Sequence, residues 1–470
     1  MKMKKWFFLL CFFLFLGVYG LFHAESGDAQ TNPVLLTTGD DIAKLNLTGS
    51  RQGQVVGLAD FDGDGIADKF VGAPYATIEG SNRIGVVLVY RGNSQGGFSF
   101  PPATLLSGGD NFGFSFATLG DVDGDKRNDF AVGALHGDGE DVSLCGTVTI
   151  YKGGSKGQII SVLSGEDPLD KFGFSIASGD LDKDGFVDVI VGAPFHTKDP
   201  AFYQGGAIYL FLGPDFKRRI SLHASKTHQG LGRAVATGDV NGDGISDLLF
   251  SSNGKVLGYY GSPAFSPAID APDFLAKSSA AGLGNSIAVL EDLDGDGMRE
   301  MAFGAPGATI DGKASTGCIL IVKGGKGKRA IDLDKPSPDL IVRINGNRPF
   351  DRLGSSLAVV SEKGCKGTGL AVGASTADAE MNLMGGKVYL FKPGTMDSMT
   401  SLTDSTVFGG SARDQCFGTS VVFCDCGNLL VGAPGLNVGT GGVFMVGLQE
   451  AKRISEGSSN GKIETEEPCH

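Results

Sequence analysis

From residue 33 to about residue 450 the chain alternates short apolar blocks with polar turns, as in FGFSIASGD, DVIVGAP, GGAIYLFLG and IISVLSG. Each block has four to eight residues, is rich in β-branched and aromatic types and is bounded by Gly, so each reads as a strand. The pattern recurs. Seven segments end in a Gly-Ala-Pro-like triplet: VGAP at 71–74, VGAL at 132–135, VGAP at 191–194, FSSN at 250–253, FGAP at 303–306, VGAS at 372–375 and VGAP at 431–434. Successive triplets stand 61, 59, 59, 53, 69 and 59 residues apart. Nineteen or twenty residues upstream of most triplets lies an apolar-Gly pair: Phe112-Gly113, Phe172-Gly173, Leu231-Gly232, Leu283-Gly284 and Leu353-Gly354. Four blocks per unit predict about 28 strands and almost no helix.

Seven four-stranded units suit an all-β fold, the seven-bladed β-propeller, in which blades pack face to face around an axis. The segment PVLLTTG at 33–39 resembles a fourth strand, such as ATLLSGG at 103–109, whereas the last unit reaches only its third, GGVFMVGL at 441–448. Strand 34–39 is therefore expected to complete the seventh blade and close the ring, since a linear array would leave open edges at both ends. This divides the chain into 1–20, a propeller over 33–450, and a polar tail over 451–470. Residues 1–20, with three Lys before an apolar run and small residues at Val18 and Gly20, read as a signal peptide cleaved after Gly20. That implies a secreted, extracellular protein, or a periplasmic one in a bacterium. Membrane attachment is expected only if the segment stays uncleaved.

Composition adds two constraints. The chain has 75 Gly in 470 residues, more than twice the usual ~7%, as many tight turns and close blade contacts require. It carries 53 Asp+Glu against 40 Lys+Arg, a net charge of −13, which disfavours nucleic acid as a partner and favours bound cations.

Much of that acidity is concentrated between the first and second strands of five units. The loops are DFDGDGIAD at 60–68, DVDGDKRND at 121–129, DLDKDGFVD at 180–188, DVNGDGISD at 239–247 and DLDGDGMRE at 292–300. Oxygen-bearing side chains occupy positions 1, 3, 5 and 9: Asp60, Asp62, Asp64 and Asp68; Asp121, Asp123, Asp125 and Asp129; Asp180, Asp182, Asp184 and Asp188; Asp239, Asn241, Asp243 and Asp247; and Asp292, Asp294, Asp296 and Glu300. Position 7 would add a backbone carbonyl, from Ile66, Arg127, Phe186, Ile245 and Met298. All-oxygen ligands on alternate residues suit a hard cation, Ca²⁺ before Mg²⁺ or Mn²⁺, in about five sites. Lys126 replaces the position-6 Gly of the second loop and weakens that site. The loops are not EF-hands, because the position of the twelfth-residue Glu is taken by Val71, Val132, Val191, Phe250 and Phe303 in the next strand. Units six and seven lack the acidic ladder. They carry Cys365, Cys424 and Cys426 instead, either as a disulfide or as thiols.

Phe-Gly, DxDGDGxxD and Gly-Ala-Pro in that order resemble the FG-GAP repeats of the integrin alpha-subunit N-terminal β-propeller. The resemblance implies calcium on the loops of one face and partner binding by loops on the other. The expected function is a calcium-binding, adhesion-like module for an extracellular protein or glycan, without enzymatic activity. The longest connection after a triplet, FHTKDPAFYQGG at 195–206, offers Phe195, His196, Phe202 and Tyr203 as a contact patch, because exposed aromatics anchor interfaces. LHGDGEDVSLC at 135–145 is a second candidate. The alternatives are a propeller-based extracellular hydrolase or lyase, which lacks an HExxH or GxSxG motif to support it, and a multivalent sugar-binding lectin, which lacks an aromatic recurring in equivalent loops.

Overall fold

The computed structural model describes residues 34–35, 50–77, 85–100, 102–199, 203–227, 229–361, 369–379, 383–392, 401–424 and 427–447. The signal segment, the tail, Phe202, Cys365 and Cys426 lie outside them.

The seven units form seven antiparallel sheets. Blade one comprises Val56–Ala59, Asp68–Ala73, Val86–Tyr90 and Thr104–Ser107, and blade two Asp110–Gly120, Asp129–His136, Thr147–Tyr151 and Ile159–Ser164. Blade three comprises Ser175–Gly179, Asp188–Ala193, Ala207–Leu212 and Arg218–His223, and blade four Val235–Gly238, Asp247–Ser252, Lys255–Tyr259 and Phe274–Lys277. Blade five comprises Ser286–Val289, Met301–Ala305, Cys318–Val322 and Leu340–Asn345, and blade six Leu353–Val360, Gly369–Ala374, Lys387–Phe391 and Thr406–Gly409. Blade seven takes Ser420–Cys424, Asn428–Gly432 and Val443–Gly447 from the C-terminal end and Val34–Leu35 from the N-terminal end, which pairs antiparallel with Met445 and Phe444. The ring closes as the sequence predicts.

Second strands are buried along almost their whole length because both faces pack against neighbouring blades. First strands line the axis. A central channel of about 1410 Å³ takes lining residues from every blade, among them Leu58, Phe116, Ile176, Val235, Ile287, Leu357 and Val422. One strand exceeds expectation: Arg329–Asp332 pairs in parallel with Phe274–Lys277, giving blade four a fifth strand. It comes from the long connection inside unit five, which accounts for the 69-residue interval. Short helices occur only at Leu402–Asp404 and Leu436–Gly439 among the described residues.

The two glycine motifs meet at the seams between blades. A Cβ on Gly192 would lie 2.0 Å from the carbonyl oxygen of Gly232, and one on Gly72, Gly304, Gly373 or Gly432 would lie 2.1–2.2 Å from that of Gly113, Gly354, Gly418 or Gly53. The glycines supplying those carbonyls have φ between +80° and +87°, a region costly for a residue with Cβ. In five of the seven units a serine two residues further on clips one seam to the next; Val55 and Ala234 take that place after Gly53 and Gly232. Ser115 Oγ donates to the Gly173 carbonyl at 2.6 Å, Ser175 to Gly232 at 2.8 Å, Ser286 to Gly354 at 2.9 Å, Ser356 to Gly418 at 2.8 Å and Ser420 to Gly53 at 3.0 Å. The last of these joins blade seven to blade one.

Candidate metal centres

All five acidic loops fold alike. The first carboxylate turns back over its own loop: Asp60 accepts the amides of Gly63 and Gly65 at 2.7 and 3.0 Å, and Asp239 those of Gly242 and Gly244, both at 2.7 Å. Asp121 and Asp292 do the same, and Asp180 accepts the amides of Asp184 and Gly185 at 3.2 and 3.0 Å. The fifth-position carboxylate accepts the amide two residues on, from Ile66, Arg127, Phe186, Ile245 or Met298, at 2.8–2.9 Å. These bends need left-handed backbone at positions 4 and 6. Gly supplies it in most copies, while Lys183 and Lys126 adopt φ of +59° and +70°.

The ninth-position carboxylates, Asp68, Asp129, Asp188, Asp247 and Glu300, are almost fully buried. Each accepts the amide of the second loop residue at 2.5–2.9 Å: Phe61, Val122, Leu181, Val240 or Leu293. The four aspartates also accept a glycine amide just beyond the third strand of their blade, from Gly92, Gly153, Gly213 or Gly261. In those four loops position 9 therefore ties the acidic loop to the adjacent turn.

The arrangement leaves charge and lone pairs uncompensated. Asp62 Oδ1, Asp182 Oδ1 and Glu300 Oε1 are buried without a hydrogen-bond partner among the described residues. Carboxylate oxygens of Asp60, Asp62 and Asp68, of Asp121, Asp123 and Asp129, and of Asp292, Asp294, Asp296 and Glu300 converge to within 4.8 Å of one another. Burial, reinforced by the neighbouring loop carboxylates, pushes Asp188 up to about 6 and Asp247 and Glu300 up to about 7. Such a donor set fits a divalent cation, which would supply the missing positive charge and fill the orphaned oxygens.

The copies differ in the basic residue nearby. Lys152 Nζ lies against Asp123, and 2.9 Å from Asp125, so an ammonium already occupies part of the second loop. Lys323 stands 2.6 Å from Asp294 and Arg91 3.1 Å from Asp62. In the fourth loop Asn241 Nδ2 donates to Asp243 at 3.1 Å, so holding a cation there requires the amide to present its oxygen instead.

The expected contact patch is corrected in part. His196 is 2% exposed, its Nδ1 2.8 Å from Asp170 Oδ2 beneath the loop, so it cannot anchor a partner at the surface. Phe195 is half-buried with the Lys171 ammonium over its ring at 4.2 Å. Tyr203 is exposed. In the 135–145 loop Asp138 accepts the Leu144 amide at 2.8 Å. Cys424 is disulfide-bonded, and both of its candidate partners lie outside the described residues.

Two seam residues escaped the sequence reading. Gly53 has the right spacing from Gly72 but follows Gln52, and Phe417-Gly418 stands only 14 residues before Gly432 because the seventh unit has a compressed loop. A search for Gly at the same spacing, with the preceding residue left free, would have found Gly53.

Comparison with known proteins agrees with the geometry. Residues 172–211 match the family described as FG-GAP repeat, and residues 60–132 that described as FG-GAP-like repeat. Integrin alpha-PS3 of Drosophila melanogaster is 35% identical over 161 residues, covering 31% of this chain and 14% of that protein. Integrin alpha-V of Gallus gallus is 36% identical over 168 residues, 34% of this chain and 15% of that one. Phosphatidylinositol-glycan-specific phospholipase D of Bos taurus is 26% identical over 404 residues, 74% of this chain and 46% of that protein. The chain thus spans less than half the length of these relatives. It is a seven-bladed β-propeller that carries FG-GAP repeats and is similar to integrin alpha subunits over the segments they share.

Proposed function

We propose that the protein is a secreted, calcium-stabilised interaction module that binds an extracellular protein or glycan through the face opposite its acidic loops. The observation that carries this reading is where large apolar side chains stay exposed. Acidic loops join first to second strands, so the connections from second to third strands, and from one blade to the next, emerge at the other end. Among the described residues, those connections hold six of the eight exposed large apolar side chains that lie outside strands, Leu144, Leu169, Tyr203, Phe350, Leu383 and Met384, against Phe100 and Phe186 at the acidic end. Phe350 is 63% exposed, Leu169 56% and Tyr203 54%. Leu144, Leu169, Phe350 and Met384 also adopt positive φ, strained for a side chain of that size. Exposed apolar groups gathered on one face mark an interaction surface.

Calcium on the far face has a structural task in this reading. It would pull positions 1, 3, 5 and 9 of each loop together and neutralise them, fixing the hairpin between first and second strands. None of the five acidic loops lies on the proposed binding face, so in this reading calcium supports binding by stabilising the blades. The test is capture of extracellular partners by the full chain in calcium, beside a Leu169→Ser/Phe350→Ser double variant. The expected outcome is loss of binding with an unchanged melting temperature; equal binding by the variant would refute the assignment of this face.

A further inference from the structure

We propose that Glu166, His196 and His223 form a binding site for one divalent transition-metal ion of the zinc class, separate from the acidic loops. Glu166 lies in the connection from blade two to blade three, His196 in the connection following Asp188–Ala193, and His223 ends the outer strand Arg218–His223. All three sit at the end of blade three remote from the acidic loops, and their ligand-type atoms fall within 4.8 Å of one another.

The second observation is the state of the two imidazoles. Their ring centroids are 4.9 Å apart. His196 Nε2 and His223 Nδ1 are both buried with no hydrogen-bond partner among the described residues. Buried ring nitrogens are rarely left so, and one shared cation satisfies both. The opposite edge of His196 is arranged accordingly. Its Nδ1 is 2.8 Å from the buried Asp170 carboxylate, which holds the proton on Nδ1 and leaves the lone pair on Nε2. A carboxylate behind the imidazole is the usual support of a metal-bound histidine. His223 is fixed on its other side by Ser221 Oγ, 3.0 Å from Nε2.

Glu166 provides the oxygen ligand and the way in. It is partly exposed, with Oε1 held by Arg219 at 2.6 Å and Oε2 receiving the Tyr209 hydroxyl at 3.3 Å. The weaker Tyr209 bond leaves Oε2 as the atom to turn toward a metal. Two imidazoles and one carboxylate select zinc-class ions over calcium, which takes oxygen ligands only, and leave a fourth position for water or an outside ligand.

The test is a zinc titration of the full chain by calorimetry in saturating calcium, so that the acidic loops are filled. Wild-type protein is expected to bind one zinc equivalent that His196→Ala and His223→Ala both lose. Asp170→Asn should bind about 10–100-fold more weakly. Cobalt(II) should give the visible absorption of a four-coordinate ion in wild-type protein and not in His223→Ala. Because His223 is half-buried at a strand end, its variant keeps the test decisive should the buried His196→Ala fail to fold, with melting in calcium as the check. No saturable zinc binding by wild-type protein, an unchanged isotherm in a folded His223→Ala, or an equivalent lost only on alkylating Cys416 would each overturn the site.

Discussion

Replacing Gly192 with Ala tests the seam between blades three and four. The new methyl would stand 2.0 Å from the Gly232 carbonyl oxygen and 2.4 Å from Ser175 Oγ, well inside the ~3.5–4.0 Å of a relaxed contact. The Gly232 carbonyl is backbone, fixed by its place between two blades, so the seam must open. Overpacking of this kind costs about 1–3 kcal/mol. Opening also lengthens the 2.8 Å bond from Ser175 to Gly232, worth about 1 kcal/mol. Less than about 1 kcal/mol returns from the stiffer unfolded chain. The expected net loss is about 2–3 kcal/mol, read as a lower midpoint in urea unfolding with calcium in excess so that metal occupancy stays constant. Gly409→Ala is the matched control, because its methyl would meet only the Ala379 methyl at 3.2 Å, and it should cost under about 1 kcal/mol. A Gly192→Ala midpoint indistinguishable from wild type would refute the reading of the Gly-Ala-Pro glycine as a seam residue. Blade four shows how the seam can be remade: Ser251 stands at the equivalent position, and its hydroxyl accepts the Ala234 amide at 3.0 Å.

Three further outcomes are expected. Ser420→Ala removes the clip from blade seven to Gly53 and should lower stability by about 1 kcal/mol, measured by urea unfolding; no change would mean that the bond adds nothing to ring closure. Lys152→Met removes the ammonium from Asp123 and Asp125 and should tighten calcium binding at the second loop by about two- to five-fold, the scale of an exposed ion pair; calorimetry showing equal or weaker binding would count against competition between them. In calcium-free protein, Asp188, Asp247 and Glu300 have pKa values raised by burial, so the folded chain holds protons that the unfolded chain releases. Their stabilising contribution is present below about pH 4 and is lost as pH rises through about 6–7. Melting in EGTA should accordingly fall across that window while the calcium-loaded protein does not, and parallel curves would contradict this.

The blades were legible because hydrophobic period and triplet spacing repeat seven times, and a repeated weak signal becomes a strong one. The acidic loops were legible as turns between first and second strands for the same reason, since one pattern recurs five times. What stayed hidden depends on residues distant in sequence. Lys152 reaches Asp123 from 29 residues away, and Arg329–Asp332 joins a sheet of the preceding unit. His196 looked like a surface aromatic because it sits among Phe195, Phe202 and Tyr203, yet Asp170, from the preceding connection, draws it inward. Nothing in the local pattern of 195–206 distinguishes the side chain that turns in from the one that stays out.

Metal content and melting, measured together on one preparation, bear most directly on the proposal that cations hold the blades. Protein purified in calcium and freed of loosely bound ions should carry about four to five calcium per chain. EGTA should lower its melting temperature by many degrees, and calcium should restore it. Fewer than about two calcium per chain, with a melt unmoved by EGTA, would mean that the five loops are acidic turns held by their own hydrogen bonds.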